Sequence, residues 1–442
     1  MKFLQLGSSL LNHTLTALRA STGDYLGLKT KLDNVYYGYW VLLGAILLHF
    51  LDSGLYFYGF SVFYTPIRTE YGWSAAMVAG AVSFSRLEGG IEGPLIGYLI
   101  KRFGPRKIIG IGVVLTGIGY MAMIYVDSPL MLYLVYAGVL SIGYNMGFTH
   151  GLSTLITNWF IKKRTRALGL YALGAGIGGA VVVPLISKSM ALYGWRTTAI
   201  LCGLSFWVVG LPAVYLFRNS PEEMGLLPDG ASSGSYVSQD TGETQTVVEE
   251  PEISTRDALK SVTFRRLLVA ESLRTFLLGS IVLHQIPHLV NIGLSAETAG
   301  GILGMMIFAS IPGRVLFGFL GDRIKKNKLL AATMIIQGIG VLILAFANSI
   351  VHVYAFVVIY GLTYGGCIPL MMAFRGDIFG RKNFAQMSGI MSPFRMIGNV
   401  VGPVLAGYLF DVTGSYRVAF ISFAALAAMS GISFYFVKSD RL

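Results

Sequence analysis

Apolar residues along the chain gather into long runs separated by short polar or basic stretches. The runs fall near 37–66, 73–100, 106–126, 129–159, 165–191, 195–217, 264–291, 295–321, 328–347, 350–374, 384–411 and 416–437. Nearly all are long enough to cross a bilayer as helices at about 1.5 Å per residue. Spanning strands would instead read as alternations of about ten residues. The pattern predicts an all-α membrane protein with twelve transmembrane helices. Basic clusters mark alternate ends of the runs: Lys101, Arg102, Arg106 and Lys107, then Lys162, Lys163, Arg164 and Arg166, then Arg323, Lys325, Lys326 and Lys328, then Arg381 and Lys382. The opposite loops are poor in Lys and Arg, so both termini are expected in the cytoplasm of a multi-pass protein of the cell (inner) membrane.

One polar stretch interrupts the series. Residues 219–258 are rich in Ser, Gly, Thr and Glu without an apolar period, which predicts a linker largely disordered after Gly230. The expected division is a cytoplasmic segment 1–36, a six-helix bundle 37–218, a linker 219–260, a second bundle 261–437 and a tail 438–442. The bundles are related: Gly72-Trp73-Ser74 recurs as Gly293-Leu294-Ser295, Pro66 as Pro287, and Gly97 as Gly318, at an offset of 221; Gly169 and Gly178 recur as Gly389 and Gly398 at 220. A repeat of six spans keeps its orientation, so the halves are parallel copies.

Composition sharpens this in three ways. With 54% hydrophobic and 13% charged residues and a mean hydropathy of +0.65, the chain carries about half the charge of a soluble domain. Its formal charge of +12 is accounted for by the basic loops, so nucleic acid is not an expected partner. Cys202 and Cys367 lie in apolar runs and read as packing residues. Residues 1–34 lack the continuous apolar core of a cleavable signal and read as a surface helix or a disordered tail.

The loop motifs carry a resemblance. GYLIKRFGPRK (97–107) and GFLGDRIKKNK (318–328) resemble the G-x-L-x-D-R-x-G-R/K signature of the major facilitator superfamily. EYGWS (70–74), NWFIKKRTRALGL (158–170), YGWR (193–196), PEEMGLLPDG (221–230), DIFGRKNF (377–384) and GPVLAGYLFDVTGSYRVAF (402–420) resemble its monocarboxylate porters and oxalate:formate antiporters. The resemblance implies the major facilitator fold, two six-helix halves that rock about a central site, and gating by the loop-motif residues Arg102, Asp322 and Arg323. In the first copy Lys101 replaces the acidic residue, which leaves any lock built from that position in question.

Ionisable residues inside the runs are the candidate site, because each is costly in the membrane. The first half holds Asp52, Arg86, Glu88 and Glu92, net −2; the second holds Glu271, Arg274, Arg314 and Arg395, net +2. Guanidiniums of the second half would then bind an anion while carboxylates of the first take and release protons. Arg314 lies roughly 12 Å in from the basic end of its run, and Arg395 roughly 18 Å in from its own. The resemblance implies that basic residues of these two helices bind substrate carboxylates, and an Arg fork takes a carboxylate bidentately. The alternative is that both pair with first-half carboxylates. The acidic residue that monocarboxylate porters carry one turn before the span-eight Arg is Ser310 here, so Asp52 is the proposed proton-coupling group, paired across the cavity with Arg274. Glu88 and Glu92 are one turn apart and compete for ionisation, which fits a proton carrier or a packing hydrogen bond.

Other polar residues are open to two readings. Tyr144 and Tyr364 are mid-run and are candidates to complete a carboxylate site, or they pack. His284 and His288 have i,i+4 spacing but no visible third ligand, so no metal is expected. His49 and His150 line the cavity or make helix contacts. The Gly-rich runs 169–184 and 398–407 permit close helix contact. No Gly-Lys-Ser/Thr and no preceding strand accompany them, so no nucleotide and no other cofactor is expected. No nucleophile–base constellation supports an enzyme. The reading is a secondary transporter of small organic anions, with protons or a counter-anion as the coupled species and the lipid bilayer as its other partner. The alternatives are a drug- or sugar-type porter, and a membrane anion sensor that moves nothing.

Overall fold

The computed structural model describes residues 35–231 and 255–437. The expectations for 1–34, for the linker beyond Ala231 as far as 254, and for the tail 438–442 lie outside the described residues. Helices account for the rest: α1 Tyr37–Tyr71, α2 over 75–103, α3 Pro105–Tyr125, α4 Pro129–Trp159, α5 over 164–193, α6 over 195–216, α7 Val262–Asn291, α8 Ala296–Gly321, α9 Lys326–Ala345, α10 over 350–379, α11 over 381–413 and α12 Arg417–Tyr435. Nine continuous stretches among the described residues are long and apolar enough to cross a membrane, two of which carry an internal break.

The breaks and caps follow from local sequence. α5 passes into α6 at Gly194 (φ 76°) and α10 into α11 at Gly380 (φ 68°), left-handed positions that suit glycine. The repeated Gly-x-Ser triplets adopt one local structure: Gly72 and Gly293 have positive φ, and Ser74 and Ser295 cap α2 and α8 by accepting from the Met77 and Thr298 amides at 3.2 and 3.1 Å. α1 and α4 depart from regular winding, with π-helical turns at Ser53–Phe57, Tyr136–Ser141 and Asn145–Gly151.

Two large hydrophobic cores form, one drawn almost wholly from α1–α6 and one from α7–α12, and a small third cluster joins Ile96, Ile100, Ile108 and Met146 to Ala385 of α11. Leu43, Val208, Val351 and Ile432 are exposed on the outside; an apolar mantle of this kind is covered by lipid. The halves meet through α2 against α11 and α5 against α8. Glycine makes the approach possible: a Cβ on Gly97 would lie 2.5 Å from the Ala385 carbonyl oxygen, and one on Gly169 would lie 2.6 Å from that of Arg314.

Polar links between the halves concentrate at the Lys/Arg-rich ends. Asp322 accepts from the Thr165 and Arg166 amides at 3.0 and 3.3 Å, at the start of α5. Arg164 pairs with Asp377 at 2.9 Å. Arg381 bridges to the Asn158 carbonyl and to Glu222 at 3.0 and 2.8 Å. At the far end of α8, side chains added at Gly300, Gly301 or Gly304 would meet nothing within 4 Å. The described conformation is shut at the Lys/Arg-rich end.

The first stretch of the linker is docked onto the first half. Asp229 (φ 60°) accepts three backbone N–H groups at the start of α5, those of Ile161, Lys162 and Lys163, at 3.0, 2.8 and 3.0 Å. Three converging amides form an anion-binding concavity that a carboxylate fills.

Candidate intramembrane charge site

The second-half charges gather around one carboxylate. Glu271, on α7, is fully buried. Its two oxygens face Arg375 Nε at 3.4 Å and Arg395 Nε at 3.8 Å. These are Coulombic contacts; neither carboxylate oxygen receives a hydrogen bond. Arg395 folds back along α11, donating to the Ser392 hydroxyl at 2.9 Å and the Ser388 carbonyl at 3.3 Å. Arg274, one turn beyond Glu271, is 8% exposed and lies within electrostatic reach of Glu271, Tyr360 and Tyr364. Arg375, which the sequence reading left out, is buried too. It lies just inside the break at Gly380, where a basic residue reads as part of the loop cluster; the unbroken apolar run leading up to it, 350–374, is the signal.

Arg314 stands apart. It is 4% exposed, and its Nη1 donates to the Ala172 carbonyl on α5, across the interface between the halves. No carboxylate of the described residues lies within ion-pair distance. Tyr58 of α1 comes within electrostatic reach of both Arg314 and Tyr364, so this edge of the site is shared between the halves. His150 of α4 is likewise within reach of Arg395 and Arg375. The Nε–H groups of Arg274, Arg314 and Arg395 are buried without an acceptor.

The first-half residues are arranged differently from the expectation. Asp52 does not pair with Arg274. Its carboxylate, fully buried, lies 3.1 and 3.2 Å from His49 Nδ1 and accepts from the Ser53 hydroxyl at 2.9 Å. His49 is one helical turn before Asp52, so the i,i+3 spacing was the signal that reading by depth alone overlooked. Tyr144 is not brought to the guanidiniums; its ring stacks on Tyr56 at 4.1 Å, inside the first half and near Asp52. Glu88 and Glu92 each keep one buried oxygen without a partner. Glu92 sits beside Asn145 and interacts with Glu88.

Of the gating candidates, Asp322 joins the clasp between halves, and burial pushes its carboxyl above the ordinary range against the pull of Thr165 and Lys326. Arg102 stays on its own helix, donating to the Tyr98 hydroxyl at 3.1 Å; Arg323 is exposed. The crossing contact on that side belongs to Lys101, whose Nζ donates to the side-chain oxygens of Asn383 and Gln386 at 2.7 and 3.0 Å. His284 and His288 point their Nε2 atoms at the carbonyls of Pro403 and Leu344, each at 2.9 Å, and no group of three metal-binding side chains occurs among the described residues. An apolar cleft of about 530 Å³ between α2 and α4, lined by Met77, Phe84, Leu130 and Tyr133, offers nothing to orient a charged ligand.

Comparison with known proteins settles the family. The Major Facilitator Superfamily pattern matches residues 42–292 and again 275–441, nearly the whole chain. The chain belongs to the Major Facilitator Superfamily. As a member it is a multi-pass membrane protein and a secondary transporter rather than an enzyme. Monocarboxylate transporter 13 of Bos taurus is 26% identical over 403 residues, 90% of this chain and 88% of its own length. The oxalate:formate antiporter of Oxalobacter formigenes is 27% identical over 371 residues, 82% of each chain. Among solved structures, the superfamily transporter FucP in its outward conformation superposes with a TM-score of 0.68 at 17% identity, covering 90% of this chain and 98% of that one; this likeness concerns the fold alone.

Proposed function

We propose that this superfamily member carries small organic anions, carboxylates among them, by alternating access, through proton symport or anion exchange. Twelve spans in two parallel six-helix halves would do so, with the Lys/Arg-rich ends and both termini in the cytoplasm, so that the described conformation faces outward. The observation that carries the reading is the surplus of buried guanidiniums. Three buried ones (Arg274, Arg314, Arg375) and the partly buried Arg395 accompany one second-half carboxylate, Glu271, and three of the four keep an Nε–H without an acceptor. Buried donors are ordinarily satisfied, and the oxygens of a bound carboxylate supply acceptors of matching geometry. Glu271 can neutralise only one guanidinium, which leaves Arg314 and two of the cluster for substrate. The named substrates of the monocarboxylate and oxalate:formate relatives agree with this choice over a sugar or a drug. Tyr364 and Tyr58 would border the bound anion, and Asp52 and Glu88 would handle protons. Asp322, with the adjoining Arg323 and Arg102, would belong to the cytoplasmic gate.

The test is a thermal-shift panel of mono- and dicarboxylates, sugars and organic cations on the purified protein, followed by flux into proteoliposomes. Ligand binding to the folded state raises its melting temperature, by an amount equivalent to about 2.7 kcal/mol at a hundred times Kd. A carboxylate should shift the wild type and fail to shift Arg314→Gln. A sugar hit retained by Arg314→Gln would refute the proposal, and binding without flux would identify a sensor.

A further inference from the structure

The reading above gives Asp52 a proton to handle but leaves the ring beside it, His49, without a role. We infer that these two side chains form a single proton-binding site, with the imidazole as the relay through which a proton reaches the carboxylate. The inference deepens the proposed transport reading and rests on it for the coupling, though not for the protonation itself.

The geometry is that of a shared proton. His49 Nδ1 lies within hydrogen-bond distance of both oxygens of Asp52, at 3.1 and 3.2 Å. Asp52 is fully buried, whereas the His49 side chain is 18% exposed, so the ring is the only member of the pair that water can reach. Tyr171 of α5 stacks on the ring at 4.2 Å and 12°, which fixes its plane toward Asp52. The Ser53 hydroxyl, donating at 2.9 Å, holds the carboxylate from the other side. The surroundings add no permanent charge. Tyr144 of α4 and Tyr171 of α5 are the titratable groups that face Asp52 from neighbouring helices. No Lys or Arg of the described residues lies within ion-pair distance of it, and Arg274 belongs to the Glu271 cluster. The pair also sits where α1 changes from regular to π-helical winding, at Asp52 and Ser53. Such turns interrupt helices at functional positions.

The proton step balances without any further reactant. A hydronium ion gives its proton to His49 Nε2 while the Nδ1 proton passes to an Asp52 oxygen. The ring is left as the Nε2–H tautomer, whose bare Nδ1 accepts a hydrogen bond from the new carboxylic acid. One proton has been taken up, and the pair has gone from −1 to neutral. Release runs the same transfers in reverse. A pair at −1 repels an anion held by the second-half guanidiniums, and a neutral pair does not, so loading the proton favours the anion-bound cavity. This is the sense required for symport.

The site is read without any substrate by infrared pH-difference spectroscopy on the full-length protein in lipid bilayers. Acidification should produce the C=O band of a protonated carboxylic acid that is missing from Asp52→Asn. In His49→Gln the pH at which that band appears should move by about one unit or more, a tenfold change in proton affinity. His352→Gln, which removes a ring bonded to Ser349, should change nothing. A second readout ties the proton to the conformational cycle. At a single pH, maleimide labelling of Thr165→Cys, a position buried in the shut end, should proceed at a different rate once Asp52→Asn fixes the pair in its neutral state. Identical spectra for wild type and Asp52→Asn, a His49→Gln band that does not move, or a labelling rate that Asp52→Asn leaves unchanged would each overturn the inference. If the spectra behave as expected while no carboxylate shifts the melting temperature, the proton site stands and the anion reading falls.

Discussion

The closest approach between the halves sets the balance between the two ends of the transport cycle, and a single methyl group tests it. Gly389 of α11 packs on the backbone of α2. A Cβ built there would press on the Gly93 carbonyl oxygen, and would lie 2.8 Å from the carbonyl carbon and 3.3 Å from Gly97 Cα. Ordinary carbon contacts are about 3.5–4.0 Å, so α2 and α11 must separate by about 1 Å to admit alanine. Gly389 has no positive φ, so alanine adds no backbone strain, and its gain in helix propensity is common to every conformation. The overpacking cost of about 1–3 kcal/mol therefore falls on the conformation that is shut at the Lys/Arg-rich end. Transferred to the conformational equilibrium, it favours the opposite state by roughly 5–150-fold. Labelling of Thr165→Cys reports that state, and the background is slow because Cys202 and Cys367 are both buried. The Gly389→Ala variant should label faster by about that factor, while Gly138→Ala, whose Cβ would meet nothing within 4 Å, should label as the parent does. Unchanged labelling in a monodisperse Gly389→Ala protein would refute the argument that this contact holds the end shut.

Two further expectations concern charge. Glu271→Gln keeps the shape of the side chain but leaves Arg375 and Arg395 facing each other uncompensated; breaking a buried ionic group costs about 3–5 kcal/mol, and a melting temperature equal to that of the wild type would contradict the assigned geometry. Burial opposes ionisation of Glu222, but Ser220 and Arg381 outweigh it and hold the carboxyl below the usual range. A carboxylate with a lowered native value stabilises fully above its unfolded value of about 4.3 and ceases to as the pH falls through the native one. The difference in melting temperature between wild type and Glu222→Gln should thus be constant near neutrality and vanish on acidification below about pH 4.

The helices were legible because lipid demands long apolar runs, and each expected run has a helix within a few residues. The halves of α5–α6 and α10–α11 were separable because YGWR and FGRK place a glycine where the chain must turn left-handed. The individual charges were legible for the same reason: an arginine among leucines is conspicuous. Their partners were not. Depth along a run says how far a residue lies from an end and nothing about its azimuth, so Asp52 was matched to Arg274 at equal depth although His49 is one turn away on the same face. Arg375 was lost because a helix end and a loop look alike when both are basic. Lys101 read as a defect in a motif, since the sequence names the missing acid without naming Asn383 and Gln386, 282 and 285 residues on.

That pair of clasps has a mechanical consequence. On one side, a carboxylate rests on the positive pole of α5, and that attraction ends when the group takes up a proton. On the other, an ammonium group is held by neutral amide oxygens, which take up no proton over the same range. Acidification therefore loosens one edge of the seam before the other. The two bundles would part as a door does on its jamb, with α2 and α11 as the hinge side, and the first crevice would run along α5 and α8, beside Arg314.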